Sequence, residues 1–310
     1  MNFPNHIVKY NIYDIFYNDT KLIIIRPMEL LLDIYVGDKK MNMYTCPHTH
    51  TYVYTLKIPY TKTIVLRINS EVIHTYVNTY PICKNEIIMT TLVKNEDNYI
   101  KQWIDFHLHI GITRFIIYDN SNSTTLTTLL RTYIDSKQVI LIRWNVPYRL
   151  PKSGISGQTT QQNHCIYAFS ESQYIGLMDI DEYINMQKHT NIHDFFEDTL
   201  KKYQLNTAAI GSFVLSNKFF YNPRNLPTDG NKFLHIFNCD ITTKHTNQKN
   251  FVIPKNVKTF SVHTITDGKP SIVLDEHDIF FNHYVYLNKS DRGRNKTTHI
   301  DSSILNHLKY

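Results

Sequence analysis

Glycine is scarce in this chain, nine residues in 310, and alanine occurs only at Ala168, Ala208 and Ala209. Few positions are therefore left for glycine-built phosphate loops, and neither G-x-G-x-x-G nor G-x-x-x-x-G-K-[ST] occurs, which excludes the common dinucleotide and P-loop readings. The four cysteines (Cys46, Cys83, Cys165, Cys239) are far apart with no C-x-x-C pair, which argues against a disulfide framework or a Cys-rich zinc module. Apolar runs such as Leu22–Ile25 fall far short of the roughly 20 residues that span a bilayer. The opening Met1–His6 lacks a basic region leading into an apolar core. These features predict a soluble chain without signal peptide or membrane anchor. Excess charge is also modest: 33 Lys and Arg against 27 Asp and Glu give +6. That balance suits an anionic ligand such as a sugar nucleotide and is too small for a dedicated nucleic-acid binder.

Aromatic residues are plentiful at 13% and hydrophobic residues reach 42%, so most of the chain is expected to fold around a core. The surplus of Ile, Asn, Lys, Tyr and Thr over Ala and Gly follows AT-rich codons, which suggests a large DNA virus and, with it, the host cytoplasm. Up to residue 85 the β-branched and aromatic runs Leu22–Ile25, Leu30–Val36, Thr51–Ile58, Thr63–Ile68 and Glu71–Tyr76 predict a small antiparallel β-rich module. From residue 86 to 310 the rhythm becomes strand–helix. Strands are predicted at Ile87–Val93, Arg114–Tyr118, Val139–Arg143 and Tyr174–Met178. Helices are predicted at about Asp97–His109, Ser123–Asp135 and Gln158–Ser170. This alternation implies an α/β fold with a mostly parallel sheet flanked by helices, whose ligands sit at the carboxyl ends of the strands.

Three polar segments follow buried strands directly: Lys94-Asn95-Glu96, Asp119-Asn120-Ser121 and Asp179-Ile180-Asp181. In the last, carboxylates at i and i+2 can face one divalent cation if the chain turns there, while Ile180 enters the core. The first two could hold a base, ribose or phosphate, although Asn95, Asp97 or Ser123 would also serve as helix N-caps. His263 and His283 could complete a cation site or bind phosphate. Cys46, His48 and His50 offer a weaker zinc pattern without a fourth ligand. The basic stretch Lys289–Lys296 could fold over a diphosphate or remain a solvated terminus.

In order along the chain, these segments are similar to those of glycosyltransferase family 92. Val93-Lys94-Asn95-Glu96, Trp103-Ile104-x-Phe106-His107, Gly111 and Tyr118-Asp119-Asn120-Ser121 resemble the opening of that domain. Gln158 before Asn163-His164-Cys165 and Met178-Asp179-Ile180-Asp181-Glu182-Tyr183 resemble its middle. Lys249, Pro254, Val257 and His263, then His283-Tyr284 and Lys289-x-x-Arg292-Gly293, resemble its end. Phe213 departs from the tryptophan that members often carry after the Asp-x-Asp region. The resemblance spans about residues 86–296. It implies a GT-A type, Rossmann-like mixed and mostly parallel sheet, and Mn²⁺ or Mg²⁺ on Asp179 and Asp181, a site that His263 or His283 could complete. It also implies inverting transfer of a hexose, galactose from UDP-galactose, to a glycan acceptor. Lys94, Asn95, Glu96, Asp119, Asn120, Gln158, Lys289 and Arg292 are then the donor-binding candidates. The catalytic base is left open among Asp229, Asp267, Asp275 and Glu276. Two other readings stand beside this one: a nucleic-acid-binding or scaffold protein using the basic tail and the tyrosines, and an inactive glycan-binding homologue.

Overall fold

A computed structural model describes residues 3–18, 21–45, 50–152, 154–220, 234, 236, 238–240, 248–284 and 299–308. Nine strands come first: β1 (Asp14–Asn18), β2 (Lys21–Pro27), β3 (Ile34–Val36), β4 (Lys39–Lys40), β5 (Asn42–Tyr44), β6 (Thr51–Lys57), β7 (Thr63–Ile68), β8 (Glu71–Tyr76) and β9 (Asn78–Thr79). They form two sheets, ordered β5-β6-β2-β1-β9 and β4-β3-β7-β8, antiparallel throughout except for the β1–β9 pair. Side chains alternate across each strand, so Leu22 and Ile24 enter a core between the two sheets with Leu66 and Ile68. Ile23 and Ile25 point the other way, into a second core. The run Leu22–Ile25 is apolar without a break because both of its faces are buried. The predicted strand from Leu30 shortens to Ile34–Val36, and Leu30 and Leu31 lie exposed in the preceding bend.

The remaining chain follows as β10 (Ile87–Val93), α1 (Ile100–His109), β11 (Arg114–Asp119), α2 (Thr125–Leu129), α3 (Arg131–Asp135), β12 (Val139–Arg143), α4 (Ser156–Ala168), β13 (Tyr174–Leu177) and β14 (Glu182–Met186). After these come α5 (Ile192–Lys202), β15 (Ser212–Leu215), β16 (Asn217–Phe220), β17 (Asn238–Asp240), β18 (Lys249–Val252), β19 (Val257–Ser261), β20 (Thr264–Gly268), β21 (Ser271–Val273), β22 (Ile279–Tyr284) and β23 (His299–Ile300). The central sheet has seven strands in the order β12-β11-β10-β13-β18-β15-β21. All run in one direction except β18, which is antiparallel to both neighbours. A mixed, mostly parallel α/β sheet is thus present. The helix expected across residues 123–135 is broken at Leu130 into α2 and α3, and α1 begins only at Ile100. No helix among the described residues is long and apolar enough to cross a membrane.

Each face of the central sheet has its own core. Trp103 and Ile104 of α1 and Phe195 and Phe196 of α5 cover Met89, Phe115 and Ile117. On the other face Ile88, Ile116 and Ile175 pack with Cys165 and Ile166 of α4 and with Phe16, Ile23 and Val53 of the N-terminal sheet. Helix α4 therefore lies between two sheets, and its polar side chains are buried from Thr159 to His164. They are hydrogen-bonded in place: Gln161 donates to Thr90 Oγ1, Thr160 meets Thr51, and Asn163 pairs with both backbone groups of Phe260. His164 Nε2 lies 2.9 Å from Asp14 Oδ2, and Tyr118 Oη lies 2.6 Å from His164 Nδ1. The described residues before 86 thus share a core and a buried polar network with the strand–helix portion.

Candidate active site

Strand β13 is buried at every position, and the chain leaves it through the turn Met178-Asp179-Ile180-Asp181. Glu182 N–H closes that turn onto the Asp179 carbonyl at 3.2 Å, while Ile180 packs into the core. Glu182 then begins β14, which pairs antiparallel with β22 so that Glu182 lies opposite His283. The Tyr284 N–H reaches the Asp181 carbonyl, and Trp103 Nε1 donates to the Glu182 carbonyl, fixing both ends of the turn. Because β18 runs against its neighbours, its first residue, Lys249, emerges at the edge where β13 ends.

Lys249 and Glu182 are almost fully buried, with side chains 2% and 1% exposed, and their charged atoms are 3.0 Å apart. Lys249 Nζ also lies 2.5 Å from Asp179 Oδ2. Glu182 Oε2 accepts the Asp179 N–H at 2.9 Å, so this oxygen is fully used. The other oxygen, Oε1, has no hydrogen bond, and neither has His283 Nδ1, 3.7 Å away. His283 Nε2 faces Asp181 Oδ2 at 3.4 Å. Asp181, Glu182 and His283 each present a donor atom within 4.8 Å of the others. Two unpartnered buried polar atoms thus face one another beside a carboxylate, and oxygen and imidazole donors in such a group are of the kind that can hold a divalent cation.

The electrostatics agree with that arrangement. Burial pushes Glu182 up to about 7; Lys249 opposes this, and the Asp179 and Asp181 carboxylates add to it. Burial would raise Asp181 too, but His283 and Lys249 outweigh it and hold Asp181 below its ordinary range. Burial would lower His283, yet Asp181 and Glu182 draw it up. Lys249, disfavoured by burial, is carried above the usual lysine range by Asp179 and Glu182.

Asp181 and His283 come together with Glu182, whereas Asp179 is paired with Lys249. His263 lies outside the cluster, with Nδ1 2.8 Å from the Gln248 carbonyl. Asp119 is fully buried, bonded to Arg143 Nη1 at 2.6 Å and to the Ser121 N–H. Asn120 donates both amide protons to the carbonyls of Trp144 and Val146, so its side chain organises the strand-end loops. Asn95 takes a left-handed φ of 59°, and its N–H donates to Ser121 Oγ, which joins the first two polar segments. Lys94 and Asn95 are exposed and Glu96 is half-buried at this same edge. Gln158 accepts from Tyr148 Oη at 2.9 Å, and Tyr148 is raised by burial and by the nearby Asp179 carboxylate. Asp267 pairs with Lys258 on the β19–β20 hairpin, Asp275 caps the following turn through the His277 N–H, and Glu276 is exposed. Asp229, Lys289, Arg292, Cys46 and His48 lie outside the described residues.

Sequence reasoning assigned no role to Lys249 or Glu182 individually, although both stand in the stretches that carry the family resemblance. Lys249 is a lone cation opening a buried strand, and Glu182 directly extends the Asp-x-Asp turn. Those were the available signals.

A family profile for glycosyltransferase family 92 matches residues 87–309. A Ricinus communis protein described as a glycosyltransferase family 92 protein is 21% identical over 211 residues, 65% of this chain and 36% of that protein. An Oryza sativa protein described in the same words is 26% identical over 36% of this chain and 18% of its own length. The chain thus spans about a third or less of the length of these relatives. Among solved structures, S. aureus TarS aligns at a TM-score of 0.39 with 15% identity, covering 64% of this chain and 37% of that one. HddC from Yersinia pseudotuberculosis aligns at 0.35 with 10% identity, covering 63% and 92%. With the family profile running through every strand of the central sheet, the chain belongs to glycosyltransferase family 92, a family of sugar-transferring enzymes.

Proposed function

We propose that this chain is a metal-dependent, inverting hexosyltransferase of GT-A type, moving galactose from UDP-galactose to a hydroxyl of a glycan acceptor. The observation that carries the metal-dependent part is the pair of unpartnered buried atoms, Glu182 Oε1 and His283 Nδ1, beside the Asp181 carboxylate. Two carboxylates and one imidazole suit Mn²⁺ or Mg²⁺, and Asp181, Glu182 and His283 would hold the ion. A divalent ion bound there supplies positive charge against the donor diphosphate. Galactose, UDP and inversion rest on the family resemblance.

The chain's own residues do the remainder. Lys249 neutralises Asp179 and one Glu182 oxygen, which leaves the other oxygen directed at the ligand site. Lys94, Asn95 and Glu96 at the end of β10 and Gln158 beside Tyr148 are the donor-contact candidates on the same edge. Asp119 supports them through Ser121, which binds the Asn95 N–H. Orientation of donor and acceptor in a fixed site is the main source of rate in such a transfer.

Turnover of a panel of nucleotide sugars, measured in chelator and again after Mn²⁺ is restored, tests this reading. Release of nucleotide diphosphate that stops in EDTA and returns with Mn²⁺ is expected, with UDP-galactose preferred. Full turnover in EDTA would remove the metal claim, and no turnover of any donor would remove the transferase claim.

A further inference from the structure

The turn between β19 and β20 places a β-branched residue, Val262, at a left-handed φ of 29°, a conformation such residues seldom adopt. The turn is held from two sides. From α4, Asn163 binds both the N–H and the carbonyl of Phe260, and Gln162 Nε2 donates to the Val262 carbonyl. From β18 and the residue before it, Asn250 Nδ2 donates to the His263 carbonyl, and the Gln248 carbonyl receives a hydrogen bond from His263 Nδ1. Gln248 and Asn250 flank Lys249, whose ammonium spans Asp179 and Glu182. The imidazole of His263 is therefore fixed beside the candidate active site.

The protonation pattern follows from simple chemistry. A carbonyl only accepts, so the proton sits on Nδ1 and Nε2 carries a lone pair. Nε2 has no hydrogen-bond partner among the described residues, and the side chain is partly open to solvent. The charged and titratable groups facing it are Lys249, Asp179 and His283. Burial, and then Lys249, lower its pKa from 6.5, so the neutral imidazole is the resting form at pH 7.

We propose that His263 is the general base of the transfer. This rests on the inverting-transferase reading above. As the acceptor oxygen attacks the anomeric carbon, its proton passes to His263 Nε2. The bond from that carbon to the diphosphate oxygen breaks, and the nucleotide diphosphate leaves with the electron pair. The imidazolium formed keeps its Nδ1–H on the Gln248 carbonyl until the proton is lost to solvent.

The test uses the full chain, saturating Mn²⁺ and UDP-galactose, with water as the acceptor. His263→Gln is expected to lower kcat about 10²- to 10⁴-fold while KM and the donor-induced thermal shift stay within about threefold of wild type. His263→Ala should regain rate on addition of imidazole. The wild-type rate should fall with acid through a midpoint below 6.5, and that limb should vanish in His263→Gln. A variant retaining more than about a tenth of kcat, or losing donor binding in step with rate, would overturn the assignment. If neither variant folds, the wild-type profile still decides, since a rate with no acid limb before the protein itself unfolds would overturn the assignment. Failure of wild type to turn over the donor at all would instead overturn the parent reading, and this one with it.

Discussion

Removing the Asp14 carboxylate should destabilise the N-terminal strands and the rest of the chain together, as one unit. Asp14 is fully buried, and five donors converge on it. Oδ1 accepts from the N–H groups of Asn5 and Ile15 and from Asn78 Nδ2 at 2.7–2.8 Å. Oδ2 accepts from Tyr80 Oη at 2.5 Å and His164 Nε2 at 2.9 Å. Asp14→Ala strands all five, and each buried donor left without a partner costs about 1–3 kcal/mol before relaxation. Relaxation and water entry keep the total well below the sum, so about 4 kcal/mol is expected. Asp14→Asn keeps one oxygen for the three N–H donors and turns an amide toward Tyr80 and His164, and about half that loss should follow. With a urea m-value of about 3 kcal/mol/M, Asp14→Ala should lower the midpoint by about 1.3 M. Tryptophan fluorescence reads both sides of the sheet, since Trp144 lies in the core shared with the N-terminal strands and Trp103 in the opposite one. Single-tryptophan variants should give coincident transitions. A midpoint shift below about 0.3 M, or an early transition seen by Trp144 alone, would refute the view of residues 1–85 as part of one cooperative unit.

Three further outcomes can be checked independently. Burial pushes His107 down to about 3, with Nδ1 bonded to the Trp103 carbonyl. Its neutral form is therefore stabilising above 6.5, and that stability is lost as pH falls through 6.5 toward 3, by about 2 kcal/mol at pH 5. In His107→Gln the acid slope of stability should be shallower, and an unchanged slope contradicts the assignment. Lys249→Met leaves Glu182 buried without its counter-charge; at about 3 kcal/mol it should lower Tm by roughly 6–10 °C and abolish transfer, as calorimetry and turnover would show. Gly157→Ala places a Cβ 2.6 Å from the Pro147 carbonyl oxygen and 2.6 Å from Tyr148 Cα, both backbone atoms. About 1–3 kcal/mol should be lost in urea unfolding, and a neutral result would show that the loop before α4 yields.

The four parallel strands and the polar loops that follow them were legible because β-branched runs, length and punctuation are local signals. The antiparallel β18 is harder to read, since Lys249-Asn250 opens it with polar residues that look like loop. Helix α4 was found by its length, but nothing in a run of Gln, Thr and Asn announces that it lies between two sheets. Its burial depends on partners such as Thr51 and Phe260, about a hundred residues away. The same limit shaped the site. Asp179 and Asp181 stood out as a motif, yet which of them faces His283 depends on the register of β14 against β22, set across a hundred residues. Lys249 settles the matter by taking Asp179 for itself.

Mn²⁺-dependent binding of UDP-galactose, followed by titration calorimetry on wild type and Asp181→Asn, tests the central claim most directly. Saturable donor binding with Mn²⁺ is expected in wild type, with loss of that binding in chelator and at least a tenfold weaker affinity in an Asp181→Asn protein that melts as wild type does. Equal donor binding by both proteins, with or without Mn²⁺, would contradict it.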